Sequence, residues 1–168
     1  PAGGPGPVAG FAPVGQGWTR NLEVPIDPLL ATPTLYAMLH VDDNTIGTYE
    51  FGQVGGADAP VVINGEMISP PFKAEIINAG DQFVQNGQVI IDSVTTSQNG
   101  FIVIHSGNAD TFGGTIGQAP VQAGTTTNVA VPVAADQVTG VLWPMLHSDT
   151  GTVGTYEFGT VEGADPRP

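Results

Sequence analysis

The chain has 168 residues, 40% of them hydrophobic, enough to bury a core and enough for one generous domain plus a substantial part of another. Only Arg20, Lys73 and Arg167 are basic against 16 Asp and Glu, which gives a formal net charge of −13. Phosphate recognition draws on Lys and Arg, so nucleic acid and an anionic membrane surface are excluded as expected partners.

The charge arises from a shortage of bases, because charged residues make up only 11% of the chain. The rest of the surface must be Thr, Ser, Asn, Gln and Gly, a composition common in secreted and surface-layer β-proteins. Without cysteine there are no disulfides, thiolate metal sites or Cys nucleophile. No apolar run is long enough to span a bilayer. The start at Pro1-Ala2-Gly3-Gly4, without Met, fits a mature secreted product and equally a fragment of a longer chain. No Asn-x-Ser/Thr acceptor occurs. Gly 24 and Pro 15 punctuate short apolar runs, and no stretch sustains a 3.6-residue period, so the expected fold is all-β.

Residues 1–9 form a Gly/Pro/Ala arm, read as a flexible leader or, as the alternative, an extended segment that orders against a neighbour. From Gly10 an ungapped repeat begins, and residues 10–58 match 117–165 at just over half of the positions. The densest match is Met38-Leu39-His40 through Gly47-Thr48-Tyr49-Glu50-Phe51-Gly52 against Met145-Leu146-His147 through Gly154-Thr155-Tyr156-Glu157-Phe158-Gly159. Within each copy, Thr19–Pro25 and Thr126–Pro132 alternate as half-exposed strands do. Thr34–His40 and Val141–His147 are apolar on both faces, which predicts a central strand or one covered on both sides. Thr45–Gly52 and Thr152–Gly159 carry aromatic residues at alternate positions and read as further strands.

Residues 59–116 occur once. Val61–Ile63 and Phe72–Ile77 are short strand candidates. Asn86-Gly87 is a strong turn pair leading into Gln88–Thr96. Gln98-Asn99-Gly100 reads as a second hairpin turn into Phe101–His105, so these two strands are expected to pair. Gly107–Gly117 reads as a Gly-rich loop. Residues 59–168 then make a complete immunoglobulin-like or cupredoxin-like β-sandwich, and residues 10–58 the second half of another.

Eight pieces stand in a fixed order: DQ (81–82), VIIDSV (89–94), GFIVIH (100–105), IGQAPV (116–121), the strand from Asn128 to Val133, MLHSDTGT (145–152), YEF (156–158) and GAD (163–165). In this the chain resembles uncharacterised β-domains found in tandem in haloarchaeal and some bacterial cell-surface proteins, a domain-of-unknown-function family. The resemblance implies an extracellular or cell-surface setting and brings no activity. The modest acid content departs from haloarchaeal members and does not imply an extreme halophile.

Three chemistries present themselves. His105 and His147 each end a strand, and Met145 shares a face with His147 as Met38 does with His40, a set that could hold copper. Strand-end histidines satisfied by the backbone are the commoner arrangement. Asp42, Asn44 and Asp149 stand in acidic loops whose oxygens could hold calcium, or could simply build turns. Catalysis finds no nucleophile elbow around Asp92-Ser93, no triad and no phosphate loop, so an enzyme is not expected. The half repeat would expose an unpaired strand edge and an apolar face of Leu35, Leu39, Tyr49 and Phe51. A self-assembling structural subunit that shares strands with its neighbours is the leading expectation. A secreted module binding calcium, copper or another ligand is the alternative.

Overall fold

The computed structural model describes residues 6–167. Of the arm read at 1–9, residues 1–5 lie outside the described residues. The chain divides into two compact units, one ending at Lys73 and one beginning at Ala74. It is all-β, and among the described residues no helix is long and apolar enough to cross a membrane.

Among the described residues the first unit holds four short strands: β1 (Thr34–Tyr36), β2 (Val62–Ile63), β3 (Glu66–Met67) and β4 (Pro71–Lys73). β2 and β3 form a hairpin around Asn64-Gly65, both at positive φ, which the sequence reading passed over. β4 pairs antiparallel with β1, with Leu35 opposite Phe72. Residues 59–73 therefore belong with the first unit, whereas the repeat alone suggested a boundary after residue 58.

The second unit is a β-sandwich of two three-stranded antiparallel sheets. One has the order β5 (Ile76–Asn78), β6 (Gln88–Thr96), β9 (Gly124–Pro132). The other has the order β10 (Val141–Ser148), β7 (Gly100–Gly107), β8 (Phe112–Val121). Period-2 alternation turns Val89 and Ile91 of β6, Ile102 and Ile104 of β7, and Val129 and Val131 of β9 into one core. Ile102 and Val131 are 0% exposed. The β-branched run of β6 suits a pleated surface buried on one side.

Several expected elements differ. The Asn86-Gly87 turn forms, with both residues at positive φ and Gln85 bridged to Gln88. The second turn is not a hairpin. β6 and β7 lie in different sheets, and the chain arches across at Gln98-Asn99, where Asn99 accepts from Ala123 N through Oδ1 and from Asp149 N through its carbonyl. The 107–117 stretch is mostly strand, because Gly107, Gly113 and Gly117 answer to close backbone approach. An added Cβ at Gly117 would stand 2.0 Å from the Pro132 carbonyl. Thr19–Pro25 forms no regular strand, although its counterpart lies in β9. Thr45–Gly52 and Thr152–Gly159 are successions of turns. Their alternating aromatic residues pack around a histidine, and side-chain carboxylates take up the backbone N–H groups that a strand ladder would use. Finally, β10 is an edge strand of its sheet, so its two apolar faces mark cover on both sides.

Candidate functional site

That cover comes from residues 149–167. On β7 and β10 the positions facing away from the core include Phe101, Val103, His105 and His147, all buried. The loop that follows β10 folds back over them, and one residue ties it down. Asp165 is 0% exposed and sits at φ 48°. Its carbonyl accepts from His147 Nδ1 at 2.8 Å. Its carboxylate accepts from Thr150 N at 2.9 Å and Glu157 N at 2.5 Å, and its own N–H donates to Thr150 Oγ1 at 2.9 Å.

Two further carboxylates shape the loop. Asp149 accepts the Gly154 N–H on both oxygens, at 3.0 and 2.9 Å, and Glu157 accepts from Thr152 N at 2.7 Å. The first unit repeats this construction. Asp42 accepts from Gly47 N at 3.0 and 2.9 Å, Glu50 from Thr45 N at 3.0 Å, and Asp58 from Asp43 N and Glu50 N. His40 Nδ1 reaches the Asp58 carbonyl at 2.6 Å. Paired backbone angles agree as well, with φ 49° at Asp58 against 48° at Asp165. Asn44 directs its amide nitrogen to Glu50 at 2.7 Å. Asp42 and Asn44 thus shape one loop of the first unit, and Asp149 shapes the equivalent loop of the second. Among the described residues no cluster of three or more His, Asp or Glu is placed to hold a metal ion.

The structure does bring His105 and His147 together, with ring centroids 6.3 Å apart. His105 Nδ1 is held at 3.0 Å by the Gly113 carbonyl. Around the pair stand Phe112, 5.3 Å from His105, and Tyr156 and Phe158, 5.6 and 4.5 Å from His147. The Arg167 guanidinium stacks on Phe112 at 4.9 Å and Phe158 at 5.6 Å. Burial pushes the His147 pKa below the usual 6.5, and the nearby His105 and Arg167 add to the effect against the Asp165 carbonyl. Burial likewise raises the Tyr156 phenol above 10.0. In the first unit, His40 meets Tyr49 at 5.4 Å and Phe51 at 4.6 Å, and Phe11 stacks on Tyr49 at 4.8 Å.

The expected assembly face divides in two. Leu35 and Leu39 correspond to Leu142 and Leu146, which pack on or within the core of the second unit, whereas Tyr49 and Phe51 correspond to the loop aromatics on the opposite side. Leu39 is 50% exposed where Leu146 is 7% exposed.

Family profiles give this duplication a frame: the profile of a domain of unknown function, DUF7282, matches residues 2–74 and again 75–168. The chain belongs to the DUF7282 family, as two consecutive domains. No curated protein and no solved structure matches it. The boundary between the DUF7282 matches falls next to the structural one at Lys73 and Ala74.

Comparing the two DUF7282 segments strand by strand exposes a difference at one edge. Ser148 N bonds to the Pro166 carbonyl, so Ser148 and its alternate neighbours face away from β7, while Trp143, Met145 and His147 face toward it. In the first unit Val41 N bonds to the Ala59 carbonyl, Val61 N to the Leu39 carbonyl and Ala37 N to the Pro70 carbonyl. These are the outward positions again. On the inward edge, which β7 occupies in the second unit, Met38 and His40 have no strand of the first unit against them among the described residues. The first unit also leaves large hydrophobic side chains in solvent, among them Trp18 at 93% and Leu29 at 66% exposure.

Proposed function

We propose that the chain is a structural subunit of an extracellular filament, sheath or surface layer, and that subunits join by sharing β-strands. The observation that carries this reading is the inward edge at Met38 and His40. It keeps the sequence and local bonding of β10, and among the described residues no strand lies against it there as β7 lies against β10. Such an edge is a template for an added strand, which contributes main-chain hydrogen bonds for affinity and side-chain pockets for register. The exposed apolar residues of the first unit supply the area that such a contact would bury. A head-to-tail contact of this type continues into a filament unless its rotation closes a ring.

The polar, base-poor surface suits an extracellular or cell-surface location, and the partner in this reading is another copy of the same chain. No residue is assigned a catalytic role. Light scattering and electron microscopy of the purified chain at neutral pH test the proposal. Concentration-dependent assemblies with a regular repeat are expected, and a stable compact monomer at all concentrations would overturn it. A peptide with the sequence of residues 98–107 is expected to occupy the edge and shorten the assemblies.

A further inference from the structure

Each buried histidine of the second unit leaves one ring nitrogen without a partner. The Gly113 and Asp165 carbonyls can only accept, so Nδ1 of His105 and of His147 carries the proton. A neutral imidazole has one N–H, and each Nε2 therefore presents a lone pair. Both Nε2 atoms are buried with no hydrogen-bond partner, in residues 3% and 0% exposed. A buried acceptor in this state costs stability unless something occupies it.

The strand register shows where the two histidines stand. His105 stands opposite Trp143, so His147 is offset from it by four residues, about 13 Å along the strands. Ring centroids only 6.3 Å apart mean that the two side chains lean toward each other over the Val103–Met145 pair. The Tyr156 ring packs on His147 beside them.

We propose that His105 and His147 bind a soft monovalent cation of the copper(I) or silver(I) class between their Nε2 atoms. Imidazole suits copper, and a carbonyl-bound Nδ1–H is the outer arrangement that fixes a metal-binding tautomer. Charge selects the cation. The Asp165 oxygens are taken up by Thr150 N and Glu157 N, and Arg167 stacks on two of the box aromatics. A divalent ion would find no free anion there to offset it, so the lowest charge is favoured. The aromatic walls add ring faces to which a cation is attracted. His40 is the single histidine of the first unit, so one ion per chain is expected. The site is independent of subunit assembly.

The test is an anaerobic titration of the full chain with silver(I), followed by the nitrogen-15 shifts of the imidazoles, with zinc(II) in a parallel titration. Saturation at one equivalent is expected, with Nε2 of His105 and His147 shifting together and His40 unmoved. His105→Gln is expected to weaken binding by more than about 100-fold, since even outer-shell changes cost 10- to 100-fold. Replacing a buried histidine can unfold the unit, so the nitrogen shifts of the native chain decide the matter by themselves. No shift at saturating silver, a shift at His40 alone, or tighter binding of zinc(II) than of silver(I) each overturns the proposal.

Discussion

Asp58 and Asp165 organise the chain at the scale of single residues. Each stands in the left-handed region, where Asp and Asn are tolerated, and each receives two backbone N–H groups on a carboxylate that is almost fully buried. Asp165→Asn keeps the backbone angle but turns an amide donor toward a donor. It is expected to destabilise the second unit by about 2 to 3 kcal/mol, measured by urea unfolding. His147 gives a pH dependence. Its pKa is depressed in the folded state by burial, so its contribution is full above the unfolded value of 6.5 and is lost as pH falls through the folded value. Unfolding free energy is expected to decrease from pH 7.5 to pH 5, by at most about 1.4 kcal/mol per pH unit for this one group. The sequence made His105 and His147 legible because each ends an apolar strand. Asp165 was not legible as a hub, because Gly-Ala-Asp looked only like the end of a repeat. Its retention in both copies was the available signal.

At the scale of elements, a paired glycine and proline bring the same two segments together in each copy. A Cβ on Gly117 would meet the Pro132 carbonyl at 2.0 Å, and one on Gly10 would meet the Pro25 carbonyl at 2.0 Å, the same contact 107 residues earlier. Asp27 N bonds to the Ala9 carbonyl as Ala134 N does to that of Ile116. Gly117→Ala must push β8 from β9 and is expected to cost about 1 to 3 kcal/mol, seen as a lower melting temperature of the second unit. Composition alone read these glycines as a loop, because it does not distinguish freedom of the backbone from lack of room. β9 was legible from its alternation, and β6, β7 and β10 from their β-branched or apolar runs. The arch between β6 and β7 was not, since Asn-Gly turns serve a hairpin and a crossing between sheets alike, and only Asn99's bonds to both Ala123 and Asp149 reveal which.

At the scale of the whole molecule, the two units share a plan and differ in cover. The repeat announced the shared plan directly. It could not show that residues 59–73 turn back along the outward edge of residues 34–41, because this segment has no second copy to compare. Met38 occupies an inward position on that strand, equivalent to Met145 opposite Val103. Met38→Pro removes an N–H from the inward edge and leaves the outward bonds of Ala37, Leu39 and Val41 in place. It is expected to abolish assembly in light scattering while the second unit melts as before. Unchanged assemblies would assign subunit contacts to another surface.

The duplicated loop also makes the molecule its own control. Glu50 N and Glu157 N donate to equivalent carboxylate oxygens at the same 2.5 Å, yet only the second loop lies over a full sandwich. Hydrogen exchange at these two amides compares one hydrogen bond in two settings within a single sample. Slower exchange at Glu157 than at Glu50 is expected, and the ratio measures how far opening of the loop is governed by the core beneath it. Recruiting a strand to the first unit should bring the two rates together, so the Glu50 amide doubles as a reporter of assembly.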